Sequence, residues 1–505
     1  MLQSIQQAVK IHDNYQIEIK LDYELSESKK TRYRISTYLF LPQSLGIDKY
    51  SYSKTDFYRD IQSYIRLKTP PLILRDFVDN SNSPICKIEA ITRTENWTTD
   101  PKRKGQVIDN LKFLSAMLKS ATREHFGLIE KRIAEAAPHS NIPALIHNLV
   151  EEFISAGQKI VERYRALYPV FNLPNIDQEL YTSYKLTDES ISLLIEESAV
   201  EMFQVVERYM AKKSVKSTFK ESLRDWIHSE TKYRKSVGYG SVLVAGEDNE
   251  IYAFRKSALK KYAATVLYLS TAMKPEGTGL EHFLFAIAAG VSMVFATVVA
   301  FYFQREYGNF TFPFFMALVV GYMFKDRIKE YGRAIFSKYL ETILYDRRII
   351  IRTQDGQHKL GVLREKVLYI DEKDMPRGIV KARNRDLITE LDNDRQGEIV
   401  MRHTKEITLF NKAFHNVFIS TFGVTGINDI TRYDVRNYLR KMADPIQERA
   451  YVGDEGITTV PIHRVYHVNL VSRYRSIWPH KDKLYKRLRL ILNRTGIKRI
   501  EQVPL

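Results

Sequence analysis

The sequence predicts a multidomain α+β membrane protein. In it, a two-helix transmembrane hairpin separates an N-terminal half, with a β-hairpin and a helical bundle, from an α+β C-terminal half. Three observations support this prediction. Two long uncharged runs, residues 283–303 and 307–324, follow one another with three residues between them. The residues before the runs combine one alternating segment with long helical repeats, and many of the residues after them alternate with a period of two.

The first predicted region, residues 1–104, contains a β-hairpin followed by a helix. Apolar and polar side chains alternate from residue 14 to residue 25, which is the pattern of a strand with one buried face. Residues 32–41 alternate again after a polar turn, so we expect this second strand to return beside the first. Residues 55–67 carry apolar side chains at helical spacing and are predicted to form a helix.

The second predicted region, residues 105–278, is a helical cytoplasmic region. Apolar residues recur at helical spacing from residue 106 to residue 235, with breaks at Pro138 and Pro143. Residues 257–273 have the pattern of a basic amphipathic helix, and we expect this helix to end the region. Its lysines suit the lipid-headgroup zone of a membrane.

The third predicted region, residues 279–325, is the transmembrane hairpin. A helix needs about 20 apolar residues to cross a bilayer, and the two uncharged runs have 21 and 18 residues. Neither run holds a charged side chain, which argues against a proton or ion pathway through one chain.

Small residues recur along the first run, where they would let helices approach closely. They are Ala286, Gly290, Ser292, Ala296 and Ala300. We expect them to pack against the second helix of the same chain, and a homo-oligomer seam is the alternative.

Basic residues flank both ends of the hairpin, whereas its loop has only Arg305, beside Glu306. This distribution of lysine and arginine places both flanks in the cytoplasm. The sequence therefore predicts an integral membrane protein with two spans and both termini cytoplasmic, in the inner membrane if the source is bacterial. A hairpin buried in a large soluble protein is the alternative.

The fourth predicted region, residues 326–505, is a basic α+β cytoplasmic domain. It follows a helix that continues to about residue 344, and it is rich in alternating segments. From Lys325 to the last residue the chain has 36 Lys and Arg against 23 Asp and Glu. The alternating segments predict strands at residues 348–353, 358–370, 464–475, 485–492 and 497–503.

The last 43 residues interleave basic and aromatic side chains. Such a surface suits anionic lipid headgroups beside the bilayer, and nucleic acid is the less favoured polyanion. A solvated sheet face is the plain alternative to both. The candidate residues for binding an anionic surface are Arg464, Arg473, Arg475, Lys483, Lys486, Arg487, Arg489, Arg494, Lys498 and Arg499.

No catalytic, metal or cofactor motif is found in the sequence. Walker A, G-x-S-x-G and H-E-x-x-H patterns are absent. His463 and His467 are four residues apart but have no third ligand nearby. Cys86 is the only cysteine, so an intrachain disulfide is excluded, and nothing next to it in the sequence would activate the thiol. We therefore predict no catalytic residue and no cofactor.

These patterns indicate a membrane-anchored cytoplasmic scaffold, sensor or assembly protein without catalytic activity. The first alternative is an oligomeric membrane effector or pore formed by the hairpins. The second is a membrane-tethered enzyme, because catalytic groups that are distant in sequence can converge in space.

Overall fold

The computed structural model describes residues 5–26, 28–134, 142–213, 219–384, 397–419, 423–454, 456–478 and 483–505. The protein has a mixed α+β multidomain fold, as the sequence predicts. The chain forms two compact units. The sheet unit comprises Met1–Ile65, Leu269–Phe414 and Asn428–Leu505, and the helical unit comprises Arg66–Tyr268 and His415–Ile427.

Antiparallel strands build two large sheets and a ribbon. The strands of the described chain are β1 (Ile5–Asp13), β2 (Gln16–Glu24), β3 (Lys30–Leu41), β4 (Ile61–Leu67), β5 (Ser270–Pro275), β6 (Arg347–Arg352), β7 (Lys359–Ile370), β8 (Ile399–Phe410), β9 (Gly426–Asp434), β10 (Ile446–Gly453), β11 (Gly456–His463), β12 (Tyr466–Trp478), β13 (Lys483–Asn493) and β14 (Gly496–Val503). The eight-stranded sheet has the order β14-β13-β12-β3-β8-β7-β6-β5. The four-stranded sheet has the order β1-β2-β9-β4, and β10 pairs with β11.

The two large sheets pack face to face. The rings of Tyr23 in β2 and Tyr33 in β3 have centroids 5.4 Å apart. Ile19 of β2, Ile35 of β3 and Tyr474 of β12 line one small cavity between the sheets. We call the face of the eight-stranded sheet that lines this cavity its inner face. Successive side chains of a strand alternate in direction, so the neighbouring residues lie on the outer face.

The N-terminal hairpin forms from other strands than the sequence predicts. We expected residues 14–25 to pair with residues 32–41. Instead, β2 pairs with β1 across a turn of two residues, and β3 lies in the other sheet between β12 and β8. Alternation shows that a strand is present and which face is buried, but it does not identify the partner strand.

Residues 55–67 form a short helix and a strand, so the single predicted helix is wrong. Helix α1 (Lys54–Arg59) begins at a capping box, in which Ser53 and Asp56 each accept a hydrogen bond from the other's backbone N–H. Strand β4 follows it and joins the four-stranded sheet. The apolar residues Ile61, Ile65 and Leu67 are buried, and their spacing also fits a period of two.

The helical unit agrees with the helical pattern of residues 106–235. Its helices in the described ranges are α2 (Asp76–Asp79), α3 (Pro84–Thr92), α4 (Pro101–Ala134), α5 (Ile142–Arg165), α6 (Tyr168–Phe171), α7 (Gln178–Lys213), α8 (Phe219–Val237) and α9 (Glu250–Thr265). Pro138 lies outside the described residues. Pro143 lies in the first turn of α5, where a helix tolerates a residue without an N–H.

The predicted amphipathic helix of residues 257–273 is shorter than expected. Helix α9 ends at Thr265, and Ser270–Pro275 forms the exposed edge strand β5 beside β6. Serine and threonine at the start of this segment suit an extended conformation better than a helix.

An antiparallel pair of long helices follows β5. Helix α10 (Thr278–Tyr307) and helix α11 (Phe312–Ile343) are joined by residues 308–311. Gly308 has a φ of 73°, a conformation that glycine adopts without strain. Pro313 lies in the first turn of α11, where it is accommodated.

Helix α12 (Arg377–Arg383) covers one end of the outer face of the eight-stranded sheet. Ile379 of α12 packs in a buried cluster with Tyr38 of β3. Arg383 donates two hydrogen bonds to Glu398, of 2.9 and 2.8 Å, and both side chains are buried. Short helical turns at Gln43–Leu45, Glu372–Asp374, Asn411–Phe414, His415–Ile419 and Arg436–Leu439 complete the described helices that are not named above.

We expect Gly157→Ala in α5 to destabilise the helical unit. A Cβ atom at this position would lie 2.2 Å from the ring of Trp226, so the indole would have to move. Overpacking of this kind costs about 1–3 kcal/mol. Thermal unfolding of the full chain measures the effect.

Gly127→Ala in α4 is the matched control, because a Cβ atom there meets nothing within 4 Å. Alanine in place of an exposed helical glycine should stabilise the chain by about 0.5–1 kcal/mol. Equal unfolding temperatures for the two variants would contradict the described packing of Trp226.

Candidate membrane-associated surface

Helix α10 exposes a large apolar surface. Val294, Val298 and Phe301 are each at least 60% exposed. Of the most apolar 18-residue window of the helix, 11% is buried. Among the described residues, α10 is the one helix that is long and apolar enough to cross a membrane. Soluble monomers rarely expose apolar patches larger than a few hundred Å², so this surface points to an apolar environment.

Helix α11 is not long and apolar enough to count as a second span, so the predicted two-span hairpin is not confirmed. Residues 308–311 form the turn, which leaves an uncharged helical stretch from residue 312 to residue 324. At 1.5 Å per residue this stretch is about 20 Å long, whereas the hydrocarbon core is about 30 Å thick. Lys325, Asp326 and Arg327 follow it within the same helix.

The two helices are held at a definite register by close contacts. A Cβ atom on Gly332 of α11 would lie 2.9 Å from the Cβ of Ala288 in α10. A Cβ atom on Gly321 would lie 3.5 Å from a methyl group of Val299. The guanidinium of Arg333 lies 5.5 Å from the ring of Phe285. The charged half of α11 therefore runs beside the N-terminal half of α10.

The small residues predicted to pack lie on different sides of α10. Ser292 is buried, and Ala296 and Ala300 are half-buried. Ala286 and Gly290 are exposed, and a Cβ atom on Gly290 would meet nothing within 4 Å. Ala288, which the spacing did not single out, makes the close contact with α11.

The base of the hairpin lies on the outer face of the eight-stranded sheet. The Lys366 ammonium in β7 donates to the carbonyl of Thr342 at 2.7 Å. The Tyr345 hydroxyl donates to Glu406 of β8 at 3.1 Å. Glu341 accepts a hydrogen bond of 2.6 Å from Lys54 of α1. These bonds join the end of α11 to three separate elements of the sheet unit.

A row of basic side chains crosses this outer face from strand to strand. Residues directly opposite one another in an antiparallel pair point to the same face. From β5 to β13, the residues that follow one another in register are Lys274, Arg348, Arg364, Glu406, Arg34, Arg475 and Lys483. We call the six basic residues of this set the cation row.

Two members of the cation row are neutralised by acids. Glu406 is buried and accepts hydrogen bonds of 2.8 Å from Arg34 and 3.0 Å from Arg32. Burial alone would raise the pKa of the Glu406 carboxyl, but these two arginines lower it. Arg364 pairs with Glu276 at 3.0 Å. Glu406 therefore offsets positive charge at the centre of the row, and Glu276 offsets the charge of Arg364, nearer the β5 end.

The other members of the cation row have no acid partner in the described part of the chain. Lys274, Arg348, Arg475 and Lys483 have no carboxylate oxygen within 4.0 Å among these residues. The Nε atoms of Arg348 and Arg475 are buried without a hydrogen-bond partner there. Four neighbouring pairs in the row place cation opposite cation, and like charges directly opposite one another are destabilising.

Six of the ten predicted basic residues lie on this outer face, and one of them is Arg499 of β14, which lies opposite Ile491 and pairs with Glu501. Arg475 and Lys483 belong to the cation row, and Arg473 lies on the same face one step along β12. Arg487 and Arg489 are further along β13, and the buried Arg487 donates to Asn469.

The other predicted basic residues are dispersed. Arg464 donates to Gln447, and Arg494 donates to Asp444. Lys486 points to the inner face, over the ring of Tyr474. Lys498 is exposed.

Sequence reasoning missed the basic residues of the row that precede β12, namely Lys274, Arg34, Arg348 and Arg364. They are distant in sequence from the C-terminal cluster, and the strand register alone brings them into line. The alternation of β3 could have shown that Arg34 lies on a polar face, but not which strands lie beside it.

A second group of ionisable side chains is buried between the two sheets. The Lys405 ammonium lies 2.8 Å from Asp429 and 3.4 Å from Glu365, and it donates to Thr431 at 2.6 Å. His403 is hydrogen-bonded to the Tyr433 hydroxyl of β9 at 3.1 Å, and burial lowers the pKa of the imidazole. The cavity beside these groups has a volume of about 20 Å³, enough for one water molecule. We interpret this group as structural, because it is closed to any substrate.

A groove of about 480 Å³ opens on the sheet unit, but its acids are already bonded. Asp434 accepts two hydrogen bonds from Arg436. Asp60 accepts hydrogen bonds from Tyr52 and Asn437, both of 2.7 Å. The groove therefore shows polar groups that stabilise one another.

Buried charges in the helical unit are paired as well. Arg165 lies 3.2 Å from Asp188 and 2.8 Å from Glu230. Glu189, fully buried, accepts a hydrogen bond of 2.9 Å from Arg255. These pairs join α5, α7, α8 and α9 and suit a structural role.

The described residues include no cluster of three or more His, Cys, Asp or Glu that could hold a metal ion. His463 and His467 are both exposed. The Cys86 thiol donates to the carbonyl of Val78 at 3.3 Å, and burial raises its pKa. A raised pKa disfavours the reactive thiolate.

No protein-family model matches the sequence, and none of the curated proteins matches it. What the structure defines is an α+β protein with an exposed apolar helical hairpin based on a basic sheet face. Its function is therefore inferred from these surfaces.

The register of the hairpin predicts a disulfide between Val299→Cys and Gly321→Cys in a Cys86→Ser background. The Cβ of Val299 lies 3.9 Å from a Cβ built on Gly321, within the usual range for a disulfide. Oxidation should form the intrachain bond readily, which a gel-mobility shift reports.

Val298→Cys with Gly321→Cys is the control pair, because Val298 points away from α11 and is 60% exposed. Equal disulfide yields for the two pairs would show that the helices do not keep the described register.

Lys405→Met should destabilise the sheet unit by about 3–5 kcal/mol at neutral pH, because Asp429 would remain buried without its cation and Glu365 would keep Arg347 as its cationic partner but lose Lys405. In the wild type, burial would raise the pKa of Glu365, but Lys405 and His403 hold it below its usual value. Because the pKa of Glu365 is lower in the folded chain than in the unfolded chain, this carboxylate takes up a proton on unfolding below pH ~4. The free energy of unfolding of the wild type therefore falls as the pH is lowered.

Denaturant unfolding over a pH series measures this difference. In Lys405→Met the pKa of Glu365 should rise. The difference in unfolding free energy between this variant and the wild type should therefore become smaller at acidic pH. Lys498→Met, at an exposed site, is the control and should behave like the wild type. A gap that is constant with pH would contradict the ionic explanation.

Proposed function

We propose that the protein is a membrane-anchored scaffold or assembly protein, whose hairpin of α10 and α11 inserts into a bilayer. The observation that supports this proposal most directly is the exposed apolar surface of α10. In water such a surface would associate with other apolar surfaces. In a bilayer it faces lipid tails, and the helical backbone satisfies its own hydrogen bonds.

The length of the two apolar stretches favours an insertion in which the turn reaches the opposite interface. The stretch of α11 falls short of the hydrocarbon core by about 10 Å, and such a mismatch costs fractions of a kcal/mol per Å. Stopping halfway would instead place Arg305 and Glu306 near the bilayer centre, at about 2.5–3.5 kcal/mol for each charge. Crossing is therefore the less costly arrangement.

The residues at both ends of the hairpin suit this arrangement. Lys325, Arg327 and Lys329 have long side chains that can reach the headgroups on the entry side. Tyr307 and Phe310 at the turn are exposed, and aromatic side chains are typical of the interface. The excess of Lys and Arg on the flanks favours the cytoplasm as the entry side.

A scaffold role is favoured over catalysis by what the polar groups do. In the described residues, the buried ionisable groups between the sheets and between the helices bond one another. Two features available for interaction are the apolar hairpin and the basic outer face, and both are surfaces.

We expect the full chain to resist extraction from membranes by alkaline carbonate, because lipid-facing helices are not released by loss of charge. In a Cys86→Ser background, Phe310→Cys should react with a membrane-impermeant maleimide from the side opposite the cytoplasm. Labelling of spheroplasts and of inverted vesicles measures this.

Tyr50→Cys is the matched control, since Tyr50 is 85% exposed in the sheet unit and should react from the cytoplasmic side only. Labelling of both sites from the same side, or release of the chain by carbonate, would contradict the proposal.

A further inference from the structure

We propose that the cation row docks on the phosphate headgroups of the anionic leaflet that the hairpin enters. This inference rests on the proposed membrane insertion and assigns it a second, electrostatic contact. The occupant is a lipid surface that carries net negative charge.

The position of the row relative to the hairpin supports this occupant. Lys274 and Arg348 lie in β5 and β6, the strands that lead directly into α10 and out of α11. Glu406, in the middle of the same set, is bonded to Tyr345 just after α11. The row therefore begins where the two helices leave the sheet, on the face that holds their base.

The chemistry of the row suits phosphate oxygens. A guanidinium group presents several N–H donors in a plane and can bind two oxygens of one phosphate. Lys274 and Lys483 are exposed and Arg348 and Arg475 are half-buried, and these four side chains have no acid partner in the described part of the chain. At about 4.8 Å per strand, the seven strands from β5 to β13 hold the row along about 29 Å. Such a line of charges fits an extended anionic surface.

Charge without available rings favours lipid over nucleic acid. Proteins that bind single strands stack bases on exposed aromatic side chains. On the outer face, Tyr38 is buried under α12, and Tyr485 packs against the same cluster. Tyr345 is bonded to Glu406. Among the side chains that the structure describes, these tyrosine rings near the row are thus already occupied by the protein itself.

Binding of the full chain to vesicles tests the proposal. The chain is mixed with vesicles of phosphatidylcholine alone, or of phosphatidylcholine and phosphatidylserine in equal amounts, and vesicles are recovered by flotation. The row variant carries Lys274→Gln, Arg348→Gln and Arg475→Gln. The matched control carries Arg464→Gln, Arg494→Gln and Lys498→Gln, which removes the same charge away from the row.

The wild type should prefer the vesicles with phosphatidylserine, and the preference should fall as salt rises. Each cation lost from the row should lower that preference about fivefold, the equivalent of ~1 kcal/mol per basic residue near an anionic surface. The control variant should stay within about twofold of the wild type, because Arg464 and Arg494 already have partners and Lys498 lies outside the row. Arg475→Lys, which keeps the charge, should retain most of the preference.

The possible failures are distinct. A wild type that binds both kinds of vesicle equally overturns the docking of the row, while membrane insertion stands. A wild type that binds neither contradicts the insertion itself. A row variant that behaves like the control assigns the preference to other residues and overturns the inference.

Two further measurements test whether the row variant remains folded and whether the row binds nucleic acid. The row variant should unfold at a temperature no lower than that of the wild type, because it removes repulsion between opposite strands. A loss of vesicle binding together with a lower unfolding temperature would count against the row. Salt-dependent binding of a single-stranded oligonucleotide, without preference for anionic vesicles, would assign the row to nucleic acid instead.

Discussion

The sheet unit depends on the position of β3 at the centre of the eight-stranded sheet. Thr37 of β3 lies opposite Ser472 of β12 on one side and opposite His403 of β8 on the other. This register decides which side chains enter the buried ionic group and which join the cation row. A slip by one residue would turn Arg34 inward, and it would interrupt the row on the outer face.

The sequence predicts the strands better than their partners. Alternation located β3, β7 and β12–β14 closely, because one face of each is buried and the period of two is visible locally. Pairing depends on residues hundreds of positions away, so neither the sheet order nor the true partner of β2 could be obtained. The prediction of one helix over residues 55–67 was wrong for a related reason, since the apolar spacing there fits a helix and a strand alike.

The candidate surface was predictable in its apolar part and only partly in its charged part. Composition alone identifies α10, because 21 uncharged residues are a local signal. Counting uncharged residues overestimated the second helix, since it included the turn at residues 308–311. The cation row could not be predicted as a row. Its six members come from six different strands of a sheet whose order is not sequential.

The central place of β3 has a consequence for biosynthesis. Thr37 and its hydrogen-bonded partner Ser472 are separated by 435 positions, and the hairpin lies between them. The ribosome therefore delivers β3 long before β8 and β12 exist, and the hairpin emerges in the interval. With the hairpin inserted in a membrane as proposed, the sheet can close only if both of its flanks end up in the same compartment. A chain whose hairpin failed to return would leave β3 with unpaired edges, which invite aggregation. The folded sheet unit would then act as a check on correct insertion: only a chain with the right membrane topology could complete it.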